Sequence, residues 1–199
     1  ITKEDIRFIQ DVIANTTTPA WVNHVPRNFG EAGAGSLKAD EWRTTSTVYL
    51  PIALTILWAE KEGPNASHFR RLLAHSMALY QAITIACRYA TSRARATAYR
   101  VFIQQWLGTL TKLYPHTNTP RTRTNPHVAL HVYDFMLLFG PVLSWWAFPL
   151  ERLIGQLGKL NTNDHLGGQH EATLLNTWIR SANLRRWINR PNCPAALRE

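Results

Sequence analysis

Acidic side chains are missing from a long part of this chain: between Glu62 and Asp134 there is none. The same stretch holds Arg70, Arg71, Arg88, Arg93, Arg95, Arg100, Lys112, Arg121 and Arg123, and the whole chain sets 22 Lys+Arg against 13 Asp+Glu, a formal net charge of +9. A clustered excess of one sign attracts polyanions, and counterion release makes nucleic acid the foremost candidate. The other reading is a solvated basic surface that answers an acidic patch elsewhere in a larger protein. Cysteine is also scarce. Cys87 and Cys193 stand far apart with no CxxC, which excludes a disulfide framework and a self-contained zinc knuckle. No apolar run reaches the roughly 18 residues that a bilayer span needs, so no membrane partner is expected. There is no phosphate-cradling glycine loop. Ser144 lies outside any GxSxG elbow, which sets aside hydrolase chemistry of that type. No alternating strand pattern and no internal repeat is visible.

What remains reads as helices. With 45% hydrophobic and 18% charged residues in 199, the chain suits one globular core. The expectation is an all-α, irregular bundle of about six to seven helices: a single helical domain over residues 1–190 with a loose tail at 191–199. Thr2 and Asp5 mark a helix start, and Ile6, Ile9, Val12 and Ile13 carry that helix to about Asn15. Residues 15 to 37, rich in Thr, Pro and Gly, form a long irregular connection that Trp21 and Phe29 are expected to pin to the body. A helix from Ser36 or Lys38 to Trp58 should kink or divide near Leu50, because Pro51 sits inside it. Asn65 and Ser92 are placed to cap the next two helices. A last helix, Gln169 to Trp187, is expected to turn Leu174, Leu175, Trp178 and Leu184 inward.

The stretch from His127 to Leu184 organises the chemistry. Asn125-Pro126 reads as an N-cap followed by proline at the first helical position, and Gly140-Pro141 as the end of that helix. His127, His131 and Asp134 fall at i, i+4 and i+7 and share one face. Paired histidines at this spacing can hold one metal, with Asp134 as a further ligand or as the group that orients an imidazole. They can equally be a packed or half-exposed pair. Glu151, in the first turn after Pro149, is a candidate acid, although the helix dipole alone favours glutamate there. Glu171 reads the same way. Trp145 and Trp146 suit base stacking or core packing.

HVALHVYDFMLLFGPVLSWWAFPLERLIG, the TND turn at Thr162 to Asp164, EATLLNTWIRSANLR and the upstream GAGSLKADEWRTTSTVYLPIAL together resemble the C-terminal region of CACTA (En/Spm-type) DNA transposases, in particular the copies found in mushroom-forming fungi. The resemblance runs from about Trp21 to Trp187, and its most specific part is GPV…WW…P.ER. Two positions depart from it: Leu143 stands where relatives have histidine after GPV, and Leu150 where they have phenylalanine. Such transposases use three acids to hold two metal ions for in-line attack on DNA phosphodiesters. In the related V(D)J recombinase a pair of zinc-binding histidines precedes the third acid by a comparable interval. The resemblance therefore implies Glu151 as the third metal-binding acid, with Mg²⁺ supplied only together with the rest of the active site. It implies a structural zinc on His127 and His131. The clustered positive charge makes Arg93, Arg95, Arg100, Arg121, Arg123 and Arg152 the expected DNA contacts. The resemblance adds the rest of the parent transposase as partner and an intracellular, nuclear location, and a homo-oligomer is a further expectation. No other cofactor is implied.

A DDE site also needs two aspartates on a β-sheet core, and Asp5, Asp11 and Asp40 sit in helical or capping contexts. This chain, which starts at Ile1 and not at methionine, is therefore expected to be a piece of a larger transposase and inactive alone. Two other readings stand beside it. One is a non-catalytic helical module, derived from a transposon, that binds DNA or protein. The other is a small metal-dependent hydrolase using His127, His131 and Asp134, with His116, His165 or Glu151 completing the coordination.

Overall fold

The structure is a computed structural model, and it describes residues 2–115, 124–160 and 169–194. It is all-α, with no strand among the described residues. The helices are α1 (Lys3–Asn15), α2 (Ala39–Thr44), α3 (Leu50–Trp58), α4 (Ala66–Ala86), α5 (Arg93–Leu113), α6 (Thr124–Phe139), α7 (Phe148–Leu157) and α8 (Gln169–Ile188). A π turn, Thr45–Tyr49, joins α2 to α3 without a break, so the described residues form seven continuous helical rods. The chain divides into two compact units, Ile1–Trp145 and Trp146–Glu199, where one helical domain over residues 1–190 was expected.

In the first unit, α1 begins on the capping box that Thr2 and Asp5 foretell. Asp5 N donates to Thr2 Oγ1 at 3.1 Å, and Thr2 N donates to Asp5 Oδ2 at 2.8 Å. Ile9 and Ile13 on this helix pack with Val25, Tyr49, Leu50, Ala53, Leu54 and Trp58 into one apolar cluster. The irregular connection is held there by Phe29, whose ring meets Trp42 edge-on at 6.2 Å, and by Gln10 Nε2, which donates to Phe29 O at 3.0 Å. Trp21 does not pin it: the side chain is 83% exposed. Val25, four residues on, takes the buried position instead.

The helix is divided near Leu50, as Pro51 predicts, but the division is a π turn and not a break. The Pro51 ring would collide with the carbonyl four residues earlier and it offers no N–H. The backbone resolves this by widening into the π turn, in which Leu50 N donates to Thr45 O. Thr45, Ser46 and Thr47 ease the widening by donating their hydroxyls back to the carbonyls of Glu41, Trp42 and Arg43 at 2.7–2.8 Å.

A second cluster joins α4, α5 and α6 through Ala82, Ala96, Tyr99, Ile103 and Met136. Helices α4 and α5 make the most extensive helix–helix contact in the chain and are joined by six residues, an antiparallel αα-hairpin. Ala82 and Ala96, both fully buried, let the backbones approach. Ser92 Oγ caps α5 by accepting from Arg95 N at 3.2 Å. Asn65 occupies the cap position of α4 but makes no side-chain bond there. Tyr99 OH donates to Ala129 O at 2.8 Å and ties α5 to α6; burial pushes its phenol well above the usual value. Helix α6 starts at Thr124, so Asn125 and Pro126 are not its cap and first residue but lie inside its first turn, where a missing N–H is still harmless. Gly140 ends that helix at φ 82°, a left-handed value suited to glycine.

The second unit contains α7 and α8, neither of which has a fully buried residue. Leu174 and Trp178 are half-buried, but Leu175 and Leu184 face outward, against expectation. After Ile188, Cys193 N donates to Arg190 O at 3.0 Å, and Cys193 is buried. Residues 195–199 lie outside the described part.

Candidate functional site

The His127–His131–Asp134 face exists. One helical turn apart, His127 and His131 bring their Nε2 atoms to 3.2 Å with the rings edge to face, and His131 Nδ1 stands 3.7 Å from Asp134 Oδ2. All three side chains are exposed. A tetrahedral zinc with bonds of about 2.0–2.1 Å spaces two imidazole nitrogens about 3.3 Å apart, so the pair has the bite of half a site. Asp134 sits on the Nδ1 side of His131, away from the converging nitrogens. That is the orienting position, not the ligating one. Among the described residues no third His, Cys, Asp or Glu joins the pair to make a metal-holding group. A structural zinc takes four protein ligands, and the described residues bring together two. His116 and His165 lie outside the described residues.

Glu151 is exposed in the first turn of α7, where its backbone N donates to Ala147 O at 2.8 Å. Neither it nor Arg152, also exposed, is ion-paired with a described residue. The two tryptophans between the helices are engaged by their own neighbours. Trp145 meets Phe135 edge-on at 5.8 Å and donates Nε1–H to Gly140 O at 3.2 Å, while Trp146 stacks on Phe148 at 4.4 Å.

The basic stretch lies on the α4–α5 hairpin. Arg70, Arg71, Arg88, Arg93, Arg95, Arg100 and Lys112 are all exposed. Among the described residues the ion pairs are Arg43–Asp40 and His131–Asp134, so none of these seven has an acidic partner. Arg95 donates from NH1 to Ala90 O at 2.6 Å, and the Arg100 guanidinium lies 4.1 Å above the Tyr133 ring. Arg93 and Arg95 occupy the first turn of α5, where the positive end of the helix dipole repels cations. Arg121 and Arg123 lie outside the described residues.

Two polar features escaped the sequence reading. His75 is buried between α4 and α5, where its Nδ1 meets Thr109 Oγ1 at 2.6 Å and its ring stacks on Trp106 at 5.9 Å. Its spacing to Ala78 and Ala82, i+3 and i+7, places it on the buried line of α4 and was the available signal. Tyr133, one residue before Asp134, serves as the platform for Arg100, a pairing across two helices that local spacing does not encode.

No single helix among the described residues is long and apolar enough to cross a membrane. Compared with models of known protein families, with curated proteins and with solved structures, the chain matches none.

Proposed function

We propose that this chain is the helical C-terminal or insertion portion of a CACTA-like DNA transposase, which grips DNA and supplies Glu151 as the third metal-binding acid of a DDE site completed elsewhere. The observation that carries the DNA-binding part is the set of seven exposed cations on the α4–α5 hairpin with no acidic partner. Two of them oppose the dipole of their own helix. That arrangement does nothing for the isolated fold, and a phosphate backbone at the start of α5 would relieve it. Arg93, Arg95 and Arg100 supply these contacts, with Arg121, Arg123 and Arg152 extending them. An intracellular, nuclear site of action and assembly with the rest of the parent transposase belong to the same reading.

The test is a titration of duplex DNA across a salt series. Affinity should fall steeply with salt, with a slope that shrinks by about one for each phosphate-contacting Arg neutralised among Arg93, Arg95, Arg121 and Arg123. Absence of binding at low salt overturns the reading. For the acid, Glu151→Gln in the full-length transposase should abolish excision and leave DNA affinity unchanged; intact excision removes Glu151 from the site.

A second reading, a non-catalytic DNA- or protein-binding module kept after transposition was lost, is favoured by the departures from the transposase pattern at Leu143 and Leu150. It predicts the same salt-dependent binding and no effect of Glu151→Gln on any activity.

A further inference from the structure

Helix α8 carries an exposed stripe with an internal symmetry. At about 100° per residue, Glu171, Leu175, Trp178, Ile179, Ala182 and Arg186 all fall within about 50° of one line along the helix. Leu175 is 59% and Ile179 44% exposed; Glu171, Ala182 and Arg186 are exposed and Trp178 is half-buried. About the midpoint between Trp178 and Ile179 the stripe is complementary to its own reversal. Glu171 mirrors Arg186, charge against opposite charge, and Leu175 mirrors Ala182, large against small. Neither Glu171 nor Arg186 is ion-paired with a described residue of its own chain. The first half of the stripe, Glu171, Leu175 and Trp178, also lines an apolar groove of about 370 Å³ together with Leu153, Leu157 and Leu174. The helix dipole explains an acid in the first turn and arginines in the last. It does not explain why Glu171 and Arg186 flank a line of apolar side chains whose one small member, Ala182, mirrors Leu175.

We propose that this stripe is the contact surface for a second copy of the same chain, the two α8 helices packing antiparallel about a two-fold axis at Trp178–Ile179. Glu171 then meets Arg186 of the second copy, and Arg186 meets Glu171 of the second copy, about 22 Å apart along the helix. Leu175 seats against Ala182 of the second copy at both ends, which lets the axes approach to the close side of the usual 8–10 Å. This is an isologous interface, in which one patch serves both partners. One helix per chain lies at the small end of specific interfaces, so the expected dimer has a Kd on the order of micromolar. The inference stands apart from DNA binding.

The experiment is sedimentation of the full chain, without DNA, over a concentration series of about 1 µM to 1 mM. Glu171→Arg and Arg186→Glu each bring like charges together at both ends, and each should weaken self-association at least about tenfold. An equimolar mixture of the two variants pairs Arg with Glu at both ends and should dimerise as the wild type does. Restoration on mixing also proves both variants folded. A chain that stays monomeric throughout, self-association untouched by either variant, or no recovery on mixing overturns the proposal. Assembly only with another protein does so as well.

Discussion

His127 and His131 hold their Nε2 atoms 3.2 Å apart across one helical turn. The two nitrogens share one hydrogen bond, and Asp134 faces the other side of the His131 ring, 3.7 Å from Nδ1. A divalent metal that replaces this hydrogen bond needs little rearrangement. The chain should bind one Zn²⁺ or Ni²⁺ weakly, far short of the roughly 10 kcal/mol of a complete structural site. Calorimetry on His127→Ala and His131→Ala should show the binding lost in both, and Asp134→Asn should lower it by less. Unchanged binding in either histidine variant places the metal elsewhere.

His75 should make stability fall in mild acid. Thr109 Oγ1, which donates to the carbonyls of Gln105 and Trp106 at 3.0 and 3.1 Å, stands 2.6 Å from His75 Nδ1 in this buried site. Burial lowers the His75 pKa below 6.5, with the rings of Trp106 and Tyr114 against it. The unfolded chain therefore binds a proton that the folded chain refuses. Stability is full above the unfolded value, declines as pH falls below about 6.5, and levels off once the folded pKa is passed. Urea melts across this window should show the decline, and His75→Gln should remove its share of the slope. A wild-type slope that survives in His75→Gln refutes the assignment.

Arg100 serves packing as well as charge. Its guanidinium over the Tyr133 ring ties α5 to α6, and such a contact at an exposed site is worth about 0.5–1 kcal/mol. Arg100→Ala should lose about that much stability, and Tyr133→Leu should make the second loss redundant in a double-mutant cycle. Full additivity would mean the two side chains do not interact.

Ile9 is the side chain on which α1 depends. It is 1% exposed in the cluster shared with α3, and truncation leaves a cavity there. Ile9→Ala should cost about 2–5 kcal/mol in urea denaturation. The exposed Ile52→Ala should cost far less, and equal losses would show that α1 is not docked on this core.

Local signals in the sequence were read well. The Thr2–Asp5 box, the Ser92 cap, the Gly140 stop and the placing of Glu151 in a first turn all depend on neighbours within four residues, and all are present. The shared face of His127, His131 and Asp134 follows from helical spacing alone. What that spacing cannot carry is which side of an imidazole a carboxylate meets, and this decided Asp134. Trp21 failed because aromatic character predicts a wish for burial, not the route of an irregular loop; Val25 took the site. On α8 the inward assignment of Leu175 and Leu184 assumed a core on that side, and among the described residues the second unit has two helices to build one. Pro51 marked the division near Leu50, but not that the division takes the form of one residue added to a turn.

That added residue gives the rod from Ala39 to Trp58 two phases. An α-turn needs about 3.6 residues, and each one inserted or removed rotates everything on one side by about 100°. In an unbroken α-helix Ala53, eleven residues on, would lie only about 20° from Trp42; the π turn takes up one residue and sets the two about 80° apart, with Trp42 on Phe29 and Ala53 in the core. Deleting one residue between Thr45 and Tyr49 would therefore give a regular α-helix with both flanking faces still in their present phase, whereas a deletion elsewhere in the rod would turn Trp42 by about 100° against the core face.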